Sequence, residues 1–141
     1  MTIPGMRLEQ LHPNYVCQYW PHIKGFLEKG LAHAAGEYDV EQLKVSLVSG
    51  GQATLVVIDE HGEIQGACTI ISENYPNMQV AFITAIGGRL IASPALFDQL
   101  KTWATNHGYT HIRGYAQESV ARLWRQRFGY REIYRTVEYA L

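Results

Sequence analysis

The side chains with chemistry to offer gather in the second half of the chain. Glu118 opens a predicted helix just behind Tyr115, which ends a predicted strand, and Glu73 follows an earlier strand in a cluster of turn-forming residues. A carboxylate so placed could act as a general base on an ammonium group, directly or through water. It could equally do no more than complement a helix dipole, worth about 0.3–1 kcal/mol in the first turn, or sit solvated in a turn, and those are the commoner roles. Arg122, Arg125, Arg127, Arg131 and Arg135 form the one basic cluster. Such a row could grip a phosphate or a nucleic-acid backbone, but on an amphipathic helix it is more often the solvated face, so no nucleic-acid partner is expected. The six histidines show no metal-ligand spacing on a continuous element, because Gly108 separates the i, i+4 pair His107 and His111. No metal site is expected. Trp20, Trp103 and Trp124 sit at helical-stripe or helix-entry positions and read as core rather than as stacking platforms. The sequence contains no Ser/His/Asp, Cys/His or phosphate-loop constellation.

Composition bounds what can position these residues. With 141 residues, 12 basic and 13 acidic side chains and a net charge of −1, the chain reads as a single domain, 1–141, able to bury a core without staples. Cys17 and Cys68 lie far apart on apolar stretches and read as two reduced, buried thiols of a cytoplasmic protein. No apolar run approaches the ~18 residues of a membrane span, and the segment from Met1 to Arg7 lacks a signal-peptide core. A soluble protein that does not engage membranes is expected.

The centre of the pattern is Gln79–Ile86, an uncharged run rich in β-branched and aromatic residues that predicts a buried strand ended by Gly87-Gly88. Ser93-Pro94 then supplies an N-cap hydroxyl and a proline at the first helical position. Leu96, Phe97, Leu100, Trp103 and Ala104 share one face of the helix that follows, and Gly108 stops it. Tyr109–Tyr115 is the next strand, and Val120, Ala121, Trp124 and Phe128 stripe a last helix that ends at Gly129. Upstream, a short strand is expected over Met6–Leu11, a helical turn over Tyr15–Tyr19, and a helix from Pro21 carrying Ile23, Phe26, Leu27 and Leu31. A second helix begins at a capping box of Asp39 and Gln42 and ends at Gly50-Gly51. Ala53–Asp59 and Ile64–Ser72 form a hairpin with a bulge expected at Gly66, and Glu73–Asn77 turns the chain back into the Gln79 strand. Alternation from Tyr130 to Leu141 predicts a C-terminal strand.

Two stretches add to this order of elements: Arg89-Leu-Ile-Ala-Ser-Pro94 before the third helix, and Glu118-Ser-Val-Ala-Arg-Leu-Trp-Arg-Gln-Arg-Phe-Gly-Tyr130 in and after the last one. Together they resemble the GNAT N-acetyltransferase superfamily, and the likeness covers nearly the whole chain. It implies a mixed α/β (α+β) fold, a twisted, mostly antiparallel sheet with helices on both faces. It also implies acetyl-CoA in a wedge between the fourth and fifth strands. Ile86 and Gly87 would hold the thioester and pantetheine by their backbone, with Gly88, Arg89 and Ser93 beside the pyrophosphate. In the first stretch Arg89 fits the family's pyrophosphate loop, but Ala92 and Pro94 stand where glycine and glycine or alanine are expected. Alanine disfavours a positive φ, and proline removes an amide donor. In the second, Ala121, Gly129 and Tyr130 fit, whereas Glu118 replaces asparagine and Arg125 replaces the tyrosine that commonly protonates the departing thiolate. A guanidinium can stabilise a thiolate but is a poor proton donor.

The resemblance thus implies transfer of an acetyl group from acetyl-CoA to an amine of a small molecule or protein, with Glu118 and Arg125 at the chemistry and Glu73 and Tyr115 at the acceptor. The Gly87-Gly88 pair, the tryptophan in the next helix and the tail from Gly129 look similar to a divergent branch encoded by bacteriophages and prophages. That likeness leaves a second reading open: a non-catalytic protein of the same fold, part of a virion or binding a viral or host protein, with a homo-oligomer as a further possibility.

Overall fold

The computed structural model describes residues 5–141; the first four, on which part of the N-terminal reading rests, lie outside them. One five-stranded sheet runs in the order β1 (Arg7–Leu11), β2 (Ala53–Ile58), β3 (Ile64–Tyr75), β4 (Met78–Gly88) and β5 (His111–Gly114). The first four are antiparallel neighbours, and β5 pairs with β4 in parallel. Helices α1 (Val16–Leu31) and α2 (Val40–Val48) precede β2, α3 (Pro94–Asn106) connects β4 to β5, and α4 (Glu118–Phe128) follows. This is the mixed fold expected from the sequence.

Alternation along the strands divides the core between two faces. Val56, Ala67 and Ala85 pack under α1 and α2 with Trp20, Ile23, Leu27, Leu43 and Leu47. Leu55, Val57, Cys68, Ile70, Ala81 and Ile83 pack under α3 with Leu96 and Leu100. The Asp39 capping box forms as predicted, the carboxylate accepting from the Gln42 amide while the Gln42 side chain accepts from the Asp39 amide, both at 2.9 Å. The Ser93 hydroxyl accepts from the Leu96 amide, and Gly129 ends α4 at φ 76°. A register shift beside Gly66 confirms the bulge.

Several boundaries differ from the sequence reading. Pro21 does not start a helix but lies inside α1, which begins at Val16 after a 3₁₀ turn at Pro13–Tyr15. A proline there forfeits one backbone hydrogen bond; the continuous buried stripe Val16, Trp20, Ile23 and Leu27 carries the helix through. Glu73 and Asn74 are not in a turn: Tyr75 pairs with Met78, so the reversal is the two residues Pro76-Asn77. Gly87 and Gly88 are the last two residues of β4 rather than a stop beyond it, and pair with Ala67 and Gly66. Gly30 and Gly87 are there because α1 lies directly on the strand: a Cβ at Gly30 would come within 2.7 Å of the Ile86 carbonyl oxygen, and one at Gly87 would overlap the Phe26 backbone. Cys17 is exposed, and Cys68 alone of the two thiols is buried, since Cys17 lies on the outer side of the α1 stripe.

The C-terminal strand is absent. Residues 130–141 form no ladder, and Val137, Tyr139 and Leu141 are exposed. Alternation is a necessary condition for a strand, but a hydrogen-bonded neighbour is what holds one.

Candidate active site where two parallel strands part

β4 and β5 stay together only from Val80 opposite His111 to Ile83 opposite Gly114. Past that point a bulge at Thr84 bends β4, because Thr69 pairs with Ala85 while Ile70 pairs with Ile83. The other chain turns away at Tyr115 towards α4. Among the described residues, Thr84–Gly88 therefore run with β3 on one side and no strand on the other. This free backbone edge leads into a 3₁₀ turn at Arg89–Ile91 and the N-terminus of α3.

The residues assigned to a cofactor are contiguous along this edge. Ile86 sends its side chain into the core under α3, Gly87 is buried beneath α1, Gly88 adopts φ 78°, Arg89 is exposed, and Ser93 is buried by its capping role. The turn has no left-handed residue: Ala92 sits at φ −123°. Pro94 has no amide hydrogen, and the amides of Leu96 and Phe97 are engaged by the Ser93 side chain and carbonyl. The indole of Trp124 donates to the Ile91 carbonyl at 3.1 Å, tying α4 to the turn.

The residues assigned to acceptor and chemistry come together elsewhere, around the outer edge of β5. A cleft of about 1130 Å³ has Glu73, Tyr115, Glu118 and Arg125 among its walls, and none of the residues along the cofactor edge. Glu118 is highly exposed and lies 3.5 Å from Arg125 and 3.7 Å from Arg122, while Arg125 also reaches Glu132 at 3.5 Å. Glu73 and Tyr115 stand on the sheet face shared with α1. That helix lies on the C-terminal end of β4; further back on the same face Ile71, Tyr75 and Tyr115 are exposed, while Val80 between them is buried. Phe82 meets Tyr115 edge to face at 4.8 Å between ring centroids, and the guanidinium of Arg113 contacts the Met78 sulfur at 3.3 Å. Phe82, Met78 and Arg113 were not singled out in the sequence. Their alternation with Ala81, Ile83 and Ile112 was the available sign, but alternation does not say which half of a face a helix will cover.

Below the cleft, Tyr130 packs against Phe97 and Trp124. Burial, with a smaller effect of Cys68, pushes its phenol well above the ordinary range. The Cys68 thiol, fully buried under α3, is pushed up to about 12 by desolvation.

No protein-family model and no curated protein matches this sequence. Solved structures do match. An aminoglycoside acetyltransferase from an uncultured soil metagenomic sample, in complex with trehalose, superimposes with a TM-score of 0.68 at 17% identity over 97% of both chains. A ribosomal-protein-alanine N-acetyltransferase from Brucella melitensis biovar Abortus 2308 gives 0.68 at 14% identity over 96% of this chain and 99% of the other. The enzyme AAC(6')-Iy, in complex with a CoA bisubstrate analog, gives 0.66 at 17% identity over 96% and 97%. With the sheet order, the parting strands and these neighbours together, the chain has the fold of the GNAT acetyltransferases.

Proposed function

We propose that this protein transfers an acetyl group from acetyl-CoA to an amine. The observation that carries the reading is the parting of β4 from β5, which leaves the Thr84–Gly88 edge without a strand partner and opens it towards the capped end of α3. Extended backbone of this kind suits an amide-bearing arm such as pantetheine, which can bond to it as a neighbouring strand would. Bound there, acetyl-CoA would supply an activated acyl group. The backbone along Ile86 and Gly87, where alternate amides face the free edge, would hold the thioester and pantetheine, the contribution a fixed backbone donor makes to acyl transfer. Arg89, exposed beside the turn, and the Ala95 amide would take the phosphate charge. Arg125 would balance negative charge on sulfur, and Glu118, directly or through water, would accept the ammonium proton. Glu73 and Tyr115 would hold the acceptor.

A second reading has an observation of its own. The turn before α3 lacks a left-handed residue, carries Pro94 and gives its Ile91 carbonyl to Trp124, so the amide cradle for a pyrophosphate is thin. That favours a non-catalytic protein of this fold, such as a phage-encoded component that binds a viral or host protein. Calorimetry with acetyl-CoA separates the two. Transfer requires micromolar or tighter binding that weakens in Arg89→Ala, and no heat at millimolar acetyl-CoA would leave the non-catalytic reading standing.

A further inference from the structure

We propose that the partly exposed sheet face beside the parting is a receptor for a small zwitterionic amine of the amino-acid class with an apolar or aromatic body, its ammonium group on Glu73 and its acid group on Arg113. This recognition does not rest on the function proposed above, because an ammonium held at Glu73, opposite Val80, stands several residues back along β4 from the Ile86–Gly87 edge. Glu73 lies opposite Val80, and Arg113 opposite Phe82, so both project from one face with β4 between them. Two interstrand spacings and a two-residue offset put their Cα atoms about 12 Å apart. The two long side chains close most of that distance, leaving room for a ligand whose opposite charges are a few bonds apart.

Both groups are half-buried, and among the described residues neither has an ion-pair partner. The contact that Arg113 does make is to a thioether, a weak acceptor. A partly desolvated guanidinium without a carboxylate is a site for a planar anion. The Phe82 and Tyr115 rings, with Ile71 beside them, supply the apolar floor. Charge argues against a polycation: the surrounding cleft carries five basic and three acidic side chains, histidine counted as neutral.

The test is calorimetry without acetyl-CoA, using L-phenylalanine and L-leucine, then phenethylamine, which lacks the acid, hydrocinnamate, which lacks the amine, and spermidine. The expected result is that one of the amino acids binds about ten- to a hundredfold more tightly than a ligand missing either charge. Arg113→Gln should remove the advantage over phenethylamine while leaving phenethylamine binding unchanged, and Glu73→Gln should do the same with respect to hydrocinnamate. Both substitutions are on an open face, and unchanged melting would show that the fold is intact. The proposal fails if neither amino acid binds at millimolar concentration, if phenethylamine binds as well as phenylalanine, or if spermidine binds best. Failure of acetyl-CoA to bind, with amino-acid discrimination intact, removes acetyl transfer and leaves this receptor.

Discussion

At the scale of single residues, environment decides what an ionisable group can do. Cys68 and Cys17 are the same thiol in opposite settings, one sealed under α3 and one in solvent. Burial lifts Cys68 from an ordinary 9.0 to about 12, which makes folding compete with deprotonation in alkali. Below pH 9 both folded and unfolded chains keep this proton. Between 9 and 12 the unfolded chain releases it while the folded chain holds it, so stability falls as pH rises, by about 1.4 kcal/mol per pH unit for one such group. Tyr130 is shifted in the same direction, so the loss should steepen above pH 10. Urea midpoints measured from pH 8 to 11 should decline, and Cys68→Ala should delay the onset until Tyr130 takes over. A thiol reagent should label one cysteine at once in the native protein and the second only on unfolding.

At the scale of elements, the closest fit is between α1 and the end of β4. Two glycines make it possible, Gly30 from the helix and Gly87 from the strand, each occupying space where a Cβ would meet backbone. Gly25, in the same helix, has nothing within 4 Å of a built Cβ. The two positions should therefore answer the same substitution with opposite signs. Gly87→Ala must push α1 off the sheet and should cost at least about 1–3 kcal/mol, while Gly25→Ala should gain about 0.5–1 kcal/mol from helix propensity. Thermal melts of both variants check the contrast; a Gly87→Ala protein melting like the parent would mean that α1 does not lie on the strand. The same seam matters to function, because it fixes the free edge of Thr84–Gly88 from behind.

At the scale of the whole molecule, the sheet is shared by two cores, one under α1 and α2 and one under α3. Since β1 to β4 present side chains to both, neither layer should survive loss of the other, and unfolding should be a single transition. Trp20 reports on the first core, and Trp124 lies buried where α4 meets β5 and the turn before α3. Fluorescence of variants retaining one or the other should give the same urea midpoint as far-ultraviolet circular dichroism; separated midpoints would show two independent units. The number and order of the helices and of the first five strands were legible in the sequence. Each is written in local terms: the Asp39 box, the Ser93-Pro94 start, the Gly129 stop and the apolar runs of β2 to β4 depend only on residues a few positions apart. The sequence also named Glu73, Tyr115, Glu118 and Arg125, which the fold brings to one cleft. The remainder depends on contacts between distant segments. Residues 130–141 alternate but find no ladder, Glu73 and Asn74 read as a turn but pair in a strand, and Pro21 reads as a start but lies within α1. Phe82 and Arg113 became candidates for binding because α1 lies on the end of β4 and leaves Ile71, Tyr75 and Tyr115 exposed further along the same face. Hydrogen-bonded partners and covering surfaces come from segments distant in the chain, so no local pattern records them.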